Sequence, residues 1–79
     1  MTLTEQDAAD LAVAHARENH ALPHDSVSLV SVTVGARRIR YTRYDVAVAL
    51  NAHCRLLYCV SCTPNGVLLI NCAPELTYA

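Results

Sequence analysis

Residues 26–34 interleave Val and Leu with Ser and Thr, which predicts a half-buried β-strand because alternate side chains of an extended chain face opposite ways. The phase slips between Leu29 and Val30, and one extra residue at that point predicts a bulge. Gly35 and Ala36 follow where a tight hairpin turn needs a glycine. The partner strand then runs over residues 37–44, with Ile39 and Tyr41 on one face and Arg38 and Arg40 on the other.

A different period governs the chain before this hairpin. Ala8, Leu11, Ala12, His15 and Ala16 recur at three- and four-residue steps and predict a shallow, Ala-rich helix over about residues 5–20. Thr4, with Asp7 three residues on, reads as its N-cap, and Leu3 stands just outside. Pro23 lies at or beyond the helix end, so residues 19–25 form a connector.

After the hairpin the period becomes ambiguous. Asp45 reads as the cap of a second helix over about residues 46–56, in which Ala47, Leu50, Cys54 and Leu57 share a stripe; Val46 and Val48 equally suit one continuous strand over 37–50. Residues 56–62 and 67–72 are apolar strands joined through Pro64, Asn65 and Gly66, a type I turn followed by a glycine able to take positive φ. Pro74 limits further strand extension, and the extreme termini are expected to fray. The resulting fold class is α+β: a small single-layer, predominantly antiparallel sheet of about four strands packed against one or two helices, in a single small domain over residues 1–79.

Composition narrows what such a domain can do. The chain has 79 residues, 53% hydrophobic but only 5% aromatic, all Tyr, so its core is assembled from Val, Leu, Ile and Ala and is thin. A partner chain, a metal or disulfides commonly supplement a core of this size, and self-association requires the least special chemistry. The formal charge of -1 gives no overall attraction to nucleic acid or an acidic membrane. The first residues carry Glu5, Asp7 and Asp10 rather than a basic and then apolar leader, Arg55 interrupts the apolar run after Asp45, and no uninterrupted stretch approaches a bilayer's thickness; the expected location is cytoplasmic, with no membrane contact.

Cys54, Cys59, Cys62 and Cys72 are the sharpest chemical signal. Cys59 and Cys62 have the two-residue separation that lets one turn present two thiolates to zinc, with Cys54, Cys72 or His53 available to complete four ligands. Against this, the pair falls inside a strand-like run whose positions 59 and 62 face opposite sides. Small buried core residues at Cys54, Cys59 and Cys72 are the simpler reading, and no cofactor is expected unless zinc is held. His20 and His24 are four apart, but Pro23 interrupts any helix that would align them. There is no serine elbow, phosphate loop or zinc-protease helix, and little chain remains for a substrate pocket, so no enzyme and no catalytic residue is expected.

Arg38, Arg40, Tyr41 and Arg43 are the expected partner-binding residues. Guanidinium groups give paired hydrogen bonds to carboxylates, and the interleaved tyrosines could alternatively stack on bases. The expected function is a small non-enzymatic protein-binding or regulatory module, self-associating or bound to a protein partner. The alternatives are a structural zinc domain using the cysteines and, less favoured, a nucleic-acid-binding module using the arginines.

Overall fold

A computed structural model of the protein describes residues 4–63 and 66–75. Helix α1 (Glu5–Asn19) is followed by strands β1 (Ser28–Arg37), β2 (Thr42–Asn51), β3 (Cys54–Thr63) and β4 (Gly66–Glu75). The strands form an antiparallel meander in the order β1-β2-β3-β4, with α1 on one face. The class is α+β, as the two hydrophobic periods predict.

Helix α1 starts where the cap signal places it. The Thr4 hydroxyl accepts from the Asp7 backbone N–H at 3.2 Å, while the Asp7 carboxylate accepts from the Thr4 N–H at 2.9 Å, a reciprocal box that satisfies two otherwise orphaned donors. Ala8, Ala9, Ala12 and Ala16 are buried against the sheet. Their small side chains let the helix backbone approach closely, so the bulk of the core comes from the strands. Tyr44, Val46, Val48 and Leu50 of β2 face α1, as do Leu56, Tyr58, Val60 and Cys62 of β3. Full burial of a Val-sized side chain contributes about 1.5–3 kcal/mol, so Val46, Val48, Val60 and Tyr58, the largest fully buried side chains, dominate the core energetics.

Asp25 ties the helix–strand connector to the far end of β2. Its carboxylate accepts from the Leu22 N–H at 2.8 Å and the Asn51 amide at 3.0 Å, and the Ser26 N–H donates to the Leu50 carbonyl at 3.1 Å.

Three sequence expectations are corrected. The second helix over residues 46–56 is absent: this segment is most of β2, a turn and the first residues of β3, and α1 is the one helix among the described residues. Alternation buries Tyr44, Val46, Val48 and Leu50 against α1, and β2 supplies the hydrogen-bonding partner of both β1 and β3. Asn51 makes the β2–β3 turn, its side chain accepting from the His53 N–H at 2.8 Å. The first hairpin turn is also displaced. Gly35 and Ala36 lie inside β1, the register slips between Val34 and Ala36, and Arg37 pairs with Thr42, so residues 38–41 form the turn rather than a strand. The bulge expected near Leu29 and Val30 coincides with the other slip in β1, between Leu29 and Ser31. Nor does Pro74 stop the last strand: β4 continues through it, in register with Leu56, to Glu75. Pro64, Asn65 and the fraying ends lie outside the described residues, while Gly66 has φ 139°. No described helix is long and apolar enough to cross a membrane.

Candidate functional site

The β1–β2 turn gathers half of the chain's six arginines. Arg37 ends β1, the Arg38 N–H donates to the Tyr41 carbonyl at 2.8 Å, and Ile39 and Arg40 form the tip between them. Ile39 is 103% exposed. Arg37, Arg38 and Arg40 are exposed too and form no ion pair with a described residue, whereas Tyr41 is half-buried. An aliphatic side chain held fully in water between cations that form no ion pair with a described residue buries no surface within the fold.

Beneath this tip lies a cavity of about 450 Å³. Arg37, Arg38, Arg40 and Tyr41 form one wall, Thr4 and Glu5 at the start of α1 another, and Tyr44 with Cys62 and Thr63 of β3 the floor. Among the described lining residues, three guanidinium groups face the Glu5 carboxylate, and Asp7 lies near enough to act on Cys62 at the floor. The backbone donors of the helix start are partly satisfied by Thr4 and Asp7, so the arginines rather than the helix dipole set the sign of the cavity.

Arg43 stands apart from this group. It lies in β2 on the sheet face opposite α1, with Nε 3.3 Å from Asp45 Oδ1. Gly35 makes room for that ion pair: a Cβ there would overlap Asp45 Oδ2 and come within 2.8 Å of the Arg43 guanidinium. Arg38, Arg40 and Tyr41 of the sequence-predicted surface are therefore brought together and Arg43 is not. Ile39, which sequence reasoning assigned to a buried-side alternation, joins them. The signal for it was present: an isoleucine flanked by arginines five residues from the nearest core position is a poor core residue.

The cysteines are distributed over the sheet. Cys62 is buried against α1, and Cys59 is half-buried on the opposite face, its thiol donating to Asp45 Oδ1 at 3.6 Å. Cys54 shares the Cys62 face at the other end of β3, and eight residue steps along the strand separate them by roughly 27 Å. Cys72 occupies β4 in register with Tyr58. The expectation that Cys59 is a core residue is thus replaced by Cys62 in that role. Bringing Cys59 and Cys62 onto one ion would require β3 to break between them. Among the described residues no group of three or more His, Cys, Asp or Glu is gathered as a metal would require.

Electrostatics also hold these thiols neutral. Burial pushes the Cys59 thiol above its ordinary value, reinforced by the charge and hydrogen bond of Asp45 and opposed by Arg43. Burial likewise raises Cys62, with Asp7 adding to it. Thiolate is the nucleophilic and metal-binding form, so both environments work against that chemistry.

Two of the histidines meet at the end of α1, where the His15 and His20 rings lie with centroids 5.7 Å apart, tilted by 41°. His15 Nδ1 is 2.9 Å from the buried Tyr58 hydroxyl, and its ring packs edge-on to Tyr58 with centroids 5.5 Å apart. His20 and His24 lie beyond the end of α1 and are exposed, as Pro23 led one to expect. His53 sits in the β2–β3 turn. No family model, curated protein or solved structure matches the chain.

Proposed function

We propose that this chain is a small non-enzymatic protein-binding or regulatory module that also self-associates, and that its partner contact is the β1–β2 turn. The observation that carries this reading is Ile39, fully exposed between Arg38 and Arg40, which form no ion pair with a described residue. Such an arrangement leaves an aliphatic contact and two directional cations available to a second molecule at little cost in reorganisation. Self-association is supported by the sheet face opposite α1, where Leu57 is 44% exposed and Ala47 lies beside it in register. A thin core covered by one helix benefits from burying that face.

The test combines partner capture from native extract with concentration-resolved sedimentation. Replacement of Arg38 and Arg40 by Gln should abolish capture of a discrete protein partner, and sedimentation of the unmodified chain should shift to heavier species with concentration. A strictly monomeric chain whose capture is indifferent to these substitutions would overturn the reading.

A further inference from the structure

We infer that the cavity under the β1–β2 turn is a receptor for a short acidic peptide segment, in which one or two carboxylates sit beside an aliphatic residue. This rests on the protein-binding reading and specifies the chemistry the site recognises. The cleft volume of about 450 Å³ falls within the usual range for ligand clefts and suits a few side chains rather than an extended surface. Arg38 and Arg40 offer planar forks of donors that match a carboxylate in paired hydrogen bonds. Ile39 between them offers no donor or acceptor, so it rewards an apolar side chain adjacent to the carboxylate. Tyr41, half-buried at the base of the turn, extends the same apolar contact.

Several features favour a peptide over a polynucleotide. The cations are concentrated at one turn instead of forming a stripe along the sheet, since Arg43 is on the opposite face and paired with Asp45. The chain's net charge of -1 supplies no long-range field to hold a polyanion. Glu5 on the helix side of the cavity repels a second row of negative charge. It therefore orients the segment, with carboxylates toward the arginine wall and its neutral side toward α1.

The test is a nitrogen-15 NMR titration of the full chain with three probes: the blocked peptide acetyl-Asp-Leu-Glu-Asp-Leu-Glu-amide, its Asn/Gln counterpart, and a short oligothymidylate. The acidic peptide should shift the amides of residues 37–42 together with Thr4 and Thr63, saturably, while amides of α1 and β2 remote from the cavity stay in place. R38Q and R40Q should each weaken its binding by about tenfold or more, as expected for a charge-assisted hydrogen bond. Ile39→Ser should weaken it without changing its salt dependence. E5Q should tighten it by about two- to fivefold, the effect of relieving one like-charge contact near the surface. Unchanged peaks elsewhere in each variant establish that the fold is intact.

Equal binding of the Asn/Gln peptide at these amides would overturn carboxylate recognition while leaving a protein-binding turn. The absence of any saturable shift with the acidic peptide would overturn the inference, and partner capture indifferent to Arg38 and Arg40 would overturn the reading beneath it. Shifts from oligothymidylate alone would remove both.

Discussion

Gly35 and Gly66 serve opposite purposes, and exchanging each for alanine separates space from conformation. Gly66 has φ 139°, a region that L side chains rarely adopt, yet a Cβ there would meet no atom of a described residue within 4 Å. Its substitution therefore costs only backbone strain, of order 1–3 kcal/mol. Gly35 is the reverse case, because its φ lies outside the positive region while its would-be Cβ overlaps Asp45 Oδ2 and crowds Arg43. Those atoms are the mobile ends of side chains, so alanine displaces the ion pair rather than the backbone. Losing a solvent-exposed pair costs about 0–1 kcal/mol, and reducing the freedom of the unfolded chain returns about 0.4–1 kcal/mol. The two terms nearly cancel, so G35A should fall within about 0.5 kcal/mol of the parent.

Urea unfolding followed by far-ultraviolet circular dichroism measures this difference. With a slope of about 1 kcal/mol/M for a chain of this size, G66A should lower the midpoint by about 1–3 M and G35A by less than about 0.5 M. The Gly35 reasoning has a second check, since R43A should change little when added to G35A if alanine has already displaced the pair. A G35A midpoint loss equal to or greater than that of G66A would refute the assignment of space to one glycine and conformation to the other.

Thr4→Ala removes half of the reciprocal cap and should destabilise the fold by about 1 kcal/mol, with helical signal lost first on heating; no change would mean that Asp7 alone holds the helix start. The Asp25 carboxyl is held below its ordinary value of 3.8 chiefly by the Leu22 N–H and then by Asn51, with His24 adding to them and burial opposing. A folded value below the unfolded one stabilises above about pH 3.8 and is lost as pH falls through the folded value, so N51A should raise the midpoint of acid unfolding. Asp45→Asn removes the second and third of the influences that raise Cys59, leaving burial, and should therefore accelerate its alkylation by iodoacetamide at mildly alkaline pH while Cys62 stays slow. Because both thiols are raised above 9.0 in the folded chain, the stability they confer is complete below that value and falls as pH rises beyond it; alkaline unfolding of C59S should begin at higher pH.

Helix α1 was the most legible element because its signals agree. The cap residues, the Ala stripe and the Pro23 stop all mark the same fifteen residues. Residues 46–56 were not legible, because two patterns coexist there. Ala47, Leu50, Cys54 and Leu57 satisfy a helical stripe, while Tyr44, Val46, Val48 and Leu50 satisfy alternation. Sheet completeness decides between them. A helix over this segment would leave β1 and β3 without their common neighbour and their inward-facing backbone groups without partners, a cost that no local propensity offsets. The β-branched Val46 and Val48 were the local hint, and Asn51 was the hint that a turn follows.

The candidate site was half legible for a related reason. The arginines are plain in the sequence, but alternation of Arg38, Ile39, Arg40 and Tyr41 implies a strand with two faces, and Gly35 implies that the turn has already occurred. Register overrides both. The slip between Val34 and Ala36 absorbs one residue of β1, so pairing continues to Arg37 with Thr42 and the turn falls four residues later than glycine placement suggests. That displacement converts a two-faced strand into a tip on which Arg38, Ile39 and Arg40 are all exposed. It also explains why Arg43 leaves the group: once β2 begins at Thr42, position 43 faces away from α1, where Asp45 two residues on shares its side and accepts its charge. The glycine that misplaced the turn is therefore the residue that lets Arg43 and Asp45 lie across β1, and the single slip beside it decides which arginines remain available to a partner.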